Sequence, residues 1–387
     1  LLTITAHLPK NVFSFSRILS KITDTERVMT MSMKESLYGE LTVIGMSGSE
    51  AFVDRVDAYL KEWRRHDDED TYLAHVSCPR FGSGEGKSLI KESMRGQDVY
   101  IFCDIFNYGV TYKMHGMIVP MSPDDHYADL KRIIAAIGGK ARRITVIMPM
   151  LYEGRQHKRT ARESLDCAMM LQELVNMGVA NLITFDAHDP RVANAIPLSG
   201  FDNVMPNYQM IKAMVKSVPD VIIDKDHVVM ISPDEGGMSR CIYYSSVLGL
   251  ELGMFYKRRN YSVIVNGRNP IEAHELLGND VEGKDICVAD DILSAGESMI
   301  DVARNLKKRN ANRIYAAVTF PLFTNGLELY NKAYEATWCL DDLIFASRGP
   351  NQTGIWTDAT NNGTEGLDDT YGFTSIGYLI DSLYTGS

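Results

Sequence analysis

Short β-type runs alternate with longer helical patterns along this chain, and that alternation leaves few folds open to it. The alternation starts at Leu41 and continues past residue 310, with apolar runs that end at small, polar or turn-forming residues. A chain of this kind places helices over a mostly parallel sheet, because each parallel connection must cross back over the sheet. The sequence therefore predicts an α/β fold.

The predicted strands are short apolar runs, and they begin at Leu41, Asp98, Arg143, Leu182, Val228, Leu252, Asp285 and Ile314. Helices are predicted where apolar residues recur at helical spacing. The segment 164–177 is one such helix, and its apolar face carries Cys167, Leu171 and Leu174. Gly178 marks the end of this helix.

The length and one proline-rich stretch predict the domain organisation. A chain of 387 residues suggests about two domains, at roughly 100–200 residues each. Residues 190–219 hold four prolines and few charged residues, which is typical of a boundary. We therefore expect two similar α/β domains, at residues 39–200 and 201–387. Residues 1–38 are interpreted as a poorly ordered N-terminal extension.

The composition argues against several classes of protein. A formal net charge of −10 argues against binding nucleic acid through its phosphate backbone. No apolar run reaches the roughly 18–20 residues that a membrane-spanning helix needs. The six cysteines form no C-x-x-C pair, which excludes a zinc ribbon and fits a reducing cytoplasm. We expect a cytoplasmic protein that binds neither nucleic acid nor membranes.

Candidate functional residues follow the predicted strands, because ligands of open α/β sheets bind at the carboxyl ends of the strands. Asp290 and Asp291 follow one predicted strand, and a short loop, Ser294–Ser298, then opens a helix. Paired acids can accept hydrogen bonds from sugar hydroxyls or hold a metal ion, and the free amides of a helix start favour a phosphate. A capped turn with solvated acids is the alternative interpretation.

Acidic and imidazole side chains follow two other predicted strands. Asp234 lies in a glycine-rich turn, which is either purely structural or part of the same site as Asp290. His188 lies between Asp186 and Asp189. An imidazole flanked by carboxylates suits metal–phosphate chemistry, although an isolated histidine is more often structural.

Two basic segments complete the set of candidates. Lys257-Arg-Arg259 follows one predicted strand, and Arg155 and Gln156 follow another. Each segment is either a solvated loop or a group that neutralises phosphoryl charge and binds a nucleotide.

Seven segments occur in an order known from one protein family, and they run from about Gly39 to at least Tyr334: Arg80-Phe-Gly-Ser-Gly-Glu85, Glu92-Ser-Met-Arg-Gly96, Gly154-Arg-Gln156, Asp186-Ala-His188, Ser232-Pro-Asp234, Lys257-Arg-Arg259 and Asp290-Asp-Ile-Leu-Ser-Ala-Gly296. Together they resemble the ribose-phosphate diphosphokinases (phosphoribosyl pyrophosphate synthetases). Two of these motifs occur in a longer form, Phe81-Gly-Ser-Gly-Glu-Gly86 and Asp186-Ala-His-Asp-Pro-Arg191. These longer forms look like those of a divergent bacterial branch of the family.

The resemblance implies a fold, a reaction and an assembly. The fold would comprise two phosphoribosyltransferase-type domains. The enzyme would transfer the β,γ-diphosphoryl group of Mg-ATP to the 1-hydroxyl of ribose 5-phosphate, giving phosphoribosyl pyrophosphate and AMP. Mg²⁺ would be the cofactor. The family also forms homo-oligomers, which are rings of dimers and commonly hexamers.

The resemblance also assigns roles by position in this sequence. ATP would be bound by Phe81, Ser83, Glu85, Arg155 and Gln156, with Phe81 stacked on adenine and Glu85 reaching the nucleotide from the neighbouring subunit. His188 and Asp234 would lie at the metal. Ribose 5-phosphate would be held by Asp290, Asp291, Ser294, Ala295, Gly296, Glu297 and Ser298. Lys257 and Arg259 would act as catalytic residues on a mobile loop that closes over the transferring group.

The chain departs from the family pattern at three places in the site, one of which is Asn260 in place of a common Pro. Ala295 and Glu297 stand where the phosphate loop usually has Thr and Gly, and His157 and Lys158 replace an Asp-Arg pair. A carboxylate that faced the 5-phosphate would repel it. We therefore expect Glu297 to turn outward as a first-turn helix residue.

Two other functions remain open. The first is a catalytically silent family member that regulates a ring of active subunits. Such a member has no need of the residues that act on ATP. This chain has kept all of them, which favours activity: Lys257, Arg259, His188 and Arg155. A phosphoribosyltransferase that consumes phosphoribosyl pyrophosphate would share the Asp290–Gly296 element. It would not need the additional α/β half or the ATP-type motifs, and it would show no dependence on ATP.

Replacing Lys257 tests the predicted catalytic role. Lys257→Ala is expected to lower kcat far more than it weakens ATP binding, because a cation on a closing segment acts when water is excluded and charge develops. Steady-state kinetics and nucleotide binding measure the two effects separately. An unchanged kcat would remove Lys257 from the mechanism.

Overall fold

Two six-stranded sheets form the framework of the part of the chain that the computed structural model describes, which is residues 39–64, 71–211, 220–259, 271–326 and 342–345. The predicted extension, residues 1–38, lies outside the described residues, as does the chain after residue 345.

The first half contains, in chain order, β1 (Leu41–Gly45), α1 (Glu50–Arg64), β2 (Leu73–Ala74), β3 (Val76–Ser77), β4 (Leu89–Ile90), β5 (Asp98–Phe102), β6 (Thr111–Met114), β7 (Met117–Pro120), α2 (Pro123–Ile137), β8 (Arg143–Ile147), α3 (Asp166–Asn176), β9 (Asn181–Phe185), a 3₁₀ segment (Pro190–Ala195) and β10 (Gly200–Val204). Its main sheet has the order β10-β9-β8-β5-β1-β2, and every pairing is parallel. The strands β3–β4 and β6–β7 form two small antiparallel pairs.

Helices cover both faces of this sheet, and β5 is consequently buried along its whole length. The helices α2 and α3 pack on one face, through side chains that include Ile133 and Leu171. The helix α1 packs on the other face through Val56 and Leu60. Burial on both faces explains why these strands appear in the sequence as nearly continuous apolar runs.

The second half contains β11 (Val228–Ser232), α4 (Met238–Leu248), β12 (Glu251–Arg259), β13 (Ile271–Leu277), β14 (Asp285–Leu293), α5 (Glu297–Lys307), β15 (Ile314–Pro321) and β16 (Asp342–Phe345). Its sheet has the order β13-β12-β11-β14-β15-β16, and only the β12–β13 pair is antiparallel. The helix α5 packs on one face through Val302 and Leu306, and α4 packs on the other through Cys241 and Tyr244.

This architecture confirms the predicted α/β fold of two similar halves. Each predicted strand start lies within one residue of an observed strand, and the predicted helix at 164–177 is α3, with Cys167, Leu171 and Leu174 buried. Among the described residues, no helix combines the length and the apolar character that crossing a bilayer requires.

Two strands continue beyond their apolar runs. The strand β14 extends to Leu293, so Asp290 and Asp291 lie inside it, because β15 continues to pair with it. The strand β12 extends to Arg259, because β13 pairs with it and places Lys257 opposite His274. The backbone of Lys257 and Arg259 therefore belongs to a strand where we expected a mobile loop. Backbone pairing with a neighbouring strand, which apolar patterning does not reveal, sets both strand ends.

The last strand of the first sheet crosses the boundary predicted at residue 200. The strand β10 pairs with β9 from Gly200 to Val204, so these residues complete the first sheet. We propose that the division between the two domains lies after Val204.

Candidate functional site

A buried ion pair joins the two halves of the chain at the centre of the candidate site. Asp186 directly follows β9 and is 2% exposed. Arg240, in the first turn of α4, donates from Nε to Asp186 Oδ2 at 3.0 Å and from Nη2 to Oδ1 at 2.7 Å. The hydroxyl of Thr319 in β15 donates to Asp186 Oδ2 at 2.5 Å. Burial raises the pKa of Asp186, and the Arg240 guanidinium and the Thr319 hydroxyl oppose that rise because both stabilise the charged carboxylate.

A second contact between the halves orients His188. Its Nδ1 lies 2.7 Å from Oδ2 of Asp291, which is 4% exposed. Burial alone would raise the pKa of Asp291, but the His188 hydrogen bond and the Arg240 charge outweigh it and hold that pKa well below its ordinary value. The hydrogen bond to Asp291 raises the pKa of His188 in turn. In the neutral ring this pairing fixes the proton on Nδ1 and leaves the lone pair on Nε2.

Asp290 is the neighbouring acid, and its surroundings favour a positive partner. Its Oδ1 accepts the backbone N–H of Asp291 at 2.9 Å. Burial raises the pKa of Asp290 well above its ordinary value, and the charges of Asp291 and Asp234 add to that rise. Asp234 lies in the turn after β11, where its Oδ1 accepts the N–H of Gly236 at 2.9 Å. A cation or a hydroxyl donor bound at Asp290 would stabilise its charged form.

The described residues include no group of three His, Cys, Asp or Glu side chains that could hold a metal by themselves. Mg²⁺ bound together with a nucleotide needs only one or two protein ligands, because phosphates and water complete its octahedral shell. His188 fits such a role, since Asp291 orients its ring as carboxylates orient metal-bound histidines. Asp234 adds a carboxylate on the Asp290 side of the site.

The predicted phosphate loop, residues 294–298, connects β14 to α5. Gly296 has a φ of 90°, in the left-handed region, and it turns the chain into the helix. No described side chain caps the start of α5, and its first backbone amides remain donors of the kind that bind a phosphate. Glu297 is exposed at the first helical residue, which is consistent with the outward orientation that we expected.

The predicted adenine-binding loop, residues 80–86, is anchored to α2. Arg80 donates to Asp129 at 2.7 Å, and Arg132 donates to the same carboxylate at 2.6 Å. Arg80 and Gly86 form a bridge across the base of the loop. The loop projects Phe81, whose side chain is 56% exposed and is therefore available to stack on a planar ligand.

The same loop holds Ser83 and Glu85, which are exposed and hydrogen-bonded to each other at 2.8 Å. Within the described part of the chain, no hydrogen bond, ion pair or ring contact joins this loop to the residues around His188.

The loop after β8 brings the other predicted ATP-binding residues close to His188. Arg155 is exposed, and its charge opposes the rise in the pKa of His188. Gln156 donates its amide to the carbonyl of Ser164 at 3.0 Å, which fixes the loop. The ring of His157 packs edge-on against His188 with their centres 5.2 Å apart. Burial and the neighbouring His188 lower the pKa of His157.

Lys257 and Arg259 are placed by their backbone, since their side chains lie outside the described residues. The strands β11 and β12 are parallel, and Ser232, the last residue of β11, pairs with Met254. The residues of β12 after Met254 therefore continue beyond the carboxyl end of β11. Lys257 and Arg259 therefore start from the same edge of the sheet as Asp234.

Sequence reasoning missed Arg240, Thr319 and His157 as members of the site. Arg240 could have been found, because a basic residue in the first turn of a helix opposes the helix dipole and indicates nearby anions. Thr319 has no comparable signal, because it lies within the continuous apolar run of β15. His157 was noted as a departure from the family pattern, but its contact with His188 depends on the fold.

Replacing Arg240 is expected to destabilise the protein strongly. Arg240→Met should lower the free energy of unfolding by about 3–5 kcal/mol, because it leaves the buried Asp186 without its partner. Urea unfolding measures this loss. Arg304→Met is the matched control, since Arg304 forms a more exposed pair with Asp301 and should cost below about 1 kcal/mol.

A double substitution separates the pair from general packing. Arg240→Met combined with Asp186→Asn should cost less than the sum of the two single changes, because the second change removes the unpaired charge. Additive losses would show that the two side chains do not act as a pair.

Comparison with known proteins identifies the family. A sequence model described as the N-terminal domain of ribose phosphate pyrophosphokinase matches residues 41–178, and a phosphoribosyl transferase domain model matches residues 206–345. The ribose-phosphate pyrophosphokinase of Thermosipho africanus is 26% identical over 292 residues, which cover 74% of this chain and 83% of that protein. The corresponding protein of Chlorobaculum tepidum is 27% identical over 320 residues, which cover 81% of this chain and 89% of that protein.

A solved structure supports the same fold. The phosphoribosylpyrophosphate synthetase of Mycobacterium smegmatis superposes with a TM-score of 0.69 and 17% identity, over 90% of this chain and 100% of that chain. The matches to both halves confirm the predicted family and enzyme class: the chain belongs to the ribose-phosphate pyrophosphokinase family.

Proposed function

We propose that this chain transfers the β,γ-diphosphoryl group of Mg-ATP to the 1-hydroxyl of ribose 5-phosphate. The sugar oxygen forms a bond to the β-phosphorus while the bond from that phosphorus to the α,β-bridging oxygen breaks. AMP leaves with the electron pair, and the hydroxyl proton passes to solvent. The observation that carries the proposal is the 2.7 Å contact between His188, on the proposed nucleotide side, and Asp291, on the proposed sugar side.

On the nucleotide side, the chain positions phosphates and shields their charge. When bound, Mg²⁺ would neutralise phosphate oxygens and help to hold the reacting groups in line. His188, through Nε2, and Asp234 are the residues that would hold it. Arg155 would bind the phosphates, and Lys257 and Arg259 would approach the transferring group from β12.

On the sugar side, the two acids have different tasks. Asp291 is already committed to His188 and Arg240, so it orients the site. Asp290 would accept hydrogen bonds from the ribose hydroxyls, which would stabilise its charged form. The amides at the start of α5, with Ser294, Ala295, Gly296, Glu297 and Ser298 around them, would hold the 5-phosphate.

The adenine-binding loop supports the proposal of a homo-oligomer. Among the described residues, Phe81, Ser83 and Glu85 form no hydrogen bond or ion pair with the residues around His188, and a second copy would supply them to the nucleotide. We propose a dimer-based assembly, with a hexameric ring as the family form, in the cytoplasm. Cysteines 78, 103, 167, 241 and 287 are all unpaired, which is compatible with a reducing compartment.

The two alternatives have weaker support. A silent regulatory member has no need of the His188–Asp291 contact, which this chain retains. A phosphoribosyltransferase has no need of the anchored loop at residues 80–86.

The direct test is AMP release by the full-length chain. ATP, Mg²⁺ and ribose 5-phosphate are incubated with the protein, and AMP and ADP are separated by chromatography, with and without the sugar. Sugar-dependent AMP is expected. ADP in its place would indicate an ordinary kinase, and no AMP from folded protein would favour the silent member. Consumption of phosphoribosyl pyrophosphate without ATP would favour the transferase.

Glu297 provides a second test, of the phosphate loop. Glu297→Gln is expected to lower KM for ribose 5-phosphate by about two- to fivefold and to leave KM for ATP unchanged. The reason is that a negative charge in the first turn of α5 weakens the binding of an anion there by roughly 0.3–1 kcal/mol. Asp301→Asn is the matched control, since Asp301 is exposed one turn further along α5 and should change neither KM. Equal KM values in the Glu297→Gln variant and the unmodified chain would contradict a 5-phosphate at this helix start.

A further inference from the structure

A buried acid of α2 holds the base of the adenine-binding loop. The side chain of Asp129 is 4% exposed, and each of its oxygens binds a different arginine. Arg80, at the start of the loop, donates from Nη2 to Oδ2 at 2.7 Å, and its own side chain is 6% exposed. Arg132, on α2 itself, donates from Nη1 to Oδ1 at 2.6 Å. Because hydrogen bonds between two charged groups are strong, and stronger away from water, Asp129 fixes the position of Arg80.

Both limbs of the loop rest on the guanidinium of Arg80. The backbone of Arg80 forms a bridge with that of Gly86 on the returning limb. A Cβ atom on Gly86 would lie 2.5 Å from Arg80 Nη1, so the returning limb packs directly on this guanidinium. On the β6 side, the central carbon of the guanidinium lies 5.0 Å from the ring centre of Tyr112, in a cation–π contact. The position that Asp129 gives to Arg80 is therefore passed on to the whole base of the loop.

The tip of the loop is seated on the β6–β7 pair. The backbone N–H of His115 donates to the carbonyl of Gly82 at 2.9 Å. Gly84 has a φ of 97°, and a Cβ atom there would lie 2.6 Å from the sulfur of Met114. With the base and the tip both fixed, the loop presents three exposed side chains, which are the predicted nucleotide contacts Phe81, Ser83 and Glu85.

We propose that Asp129 is a positioning residue for the nucleotide, which acts through Arg80 to hold the adenine-binding loop in its binding arrangement. The inference rests on the proposed function for the adenine that stacks on Phe81. A loop that is ordered beforehand loses less conformational freedom when the ligand binds, so the ligand binds more tightly. Loosening the loop lowers the fraction of molecules that are ready to bind and raises the apparent Kd in proportion.

The first measurement replaces the acid in the full-length chain. Asp129→Asn is expected to raise KM for ATP by about tenfold or more and to leave kcat and KM for ribose 5-phosphate within about twofold, because the loop contributes equally to binding of substrate and transition state. Calorimetry with Mg²⁺ and α,β-methylene-ATP measures the same loss of affinity without turnover. Equal affinity for this analogue in the folded variant and the unmodified chain would overturn the proposal.

A second buried pair in the same half is the matched control. Asp98 is fully buried, and Arg143 donates to it from Nε at 2.8 Å and from Nη2 at 2.6 Å. These two residues begin β5 and β8 of the main sheet, whereas the loop joins β3 and β4. Breaking either pair destabilises the fold, but Asp98→Asn should leave the affinity for the analogue within about twofold. Equal weakening by Asp98→Asn and Asp129→Asn would indicate a general loss of packing and would overturn the proposal.

A second variant removes the other partner of the same contact. Arg80→Met leaves the carboxylate of Asp129 paired with Arg132, so it tests the link even where Asp129→Asn does not fold. It is expected to weaken binding of the analogue by about tenfold as well. Unchanged affinity in the Arg80→Met variant would overturn the proposal.

Hydrogen–deuterium exchange reports the order of the loop directly. The backbone amides of Phe81, Gly84 and Lys87 bond within the loop or to its first limb, at 2.7, 2.9 and 3.2 Å. Their exchange is expected to be faster in Asp129→Asn and Arg80→Met than in the unmodified chain, and unchanged in Asp98→Asn. Equal exchange of these amides in all four proteins would show that Asp129 does not order the loop.

Exchange and analogue binding need no turnover, so they separate the inference from the proposed function. AMP release by the unmodified chain, with equal analogue affinity in the Asp129→Asn variant, would overturn the inference and leave the function standing. Weaker analogue binding in that variant, in a protein whose unmodified form releases no AMP, would support the inference and overturn the function.

Discussion

The buried pairing of Asp186 with Arg240 holds the two halves of this protein in a single arrangement. In the assembled chain both side chains are buried, and removal of either one would leave the other as an unpaired buried charge, at a cost of several kcal/mol. The pair forms when the carboxyl edges of the two sheets meet, and Thr319 completes it from β15. The 2.7 Å contact between His188 and Asp291 is a consequence of that meeting.

The same junction collects more negative than positive charge. Asp186, Asp234, Asp290 and Asp291 converge there, while Arg240 is the cation that is buried among them. Such a site favours hydroxyl donors and cations, and it receives a nucleotide more readily when a metal accompanies the phosphates. A diphosphoryl transfer fits this balance, because the reaction needs positioning and charge neutralisation more than covalent chemistry from the protein.

Much of the fold was predictable, because burial on both faces of a parallel sheet leaves a strong apolar pattern in β1, β5, β8, β9, β11 and β15. The candidate acids were predictable because they follow such runs. The ends of β12 and β14 were not predictable, since pairing with β13 and β15 extends both strands through charged residues. The position of β10 in the first sheet was missed, because a proline-rich segment resembles a linker.

The amino-acid sequence alone was sufficient to predict the α/β class, the two halves, and the acidic, basic and imidazole side chains that follow the strands. These features depend on local spacing and composition. The assembled fold added the partners: Arg240 for Asp186, Asp291 for His188, and His157 beside the same ring. The pair Asp186–Arg240 spans 54 positions of the sequence, the pair His188–Asp291 spans 103, and the pair His157–His188 spans 31. Contacts over such separations depend on how the sheets pack, and no local pattern encodes them.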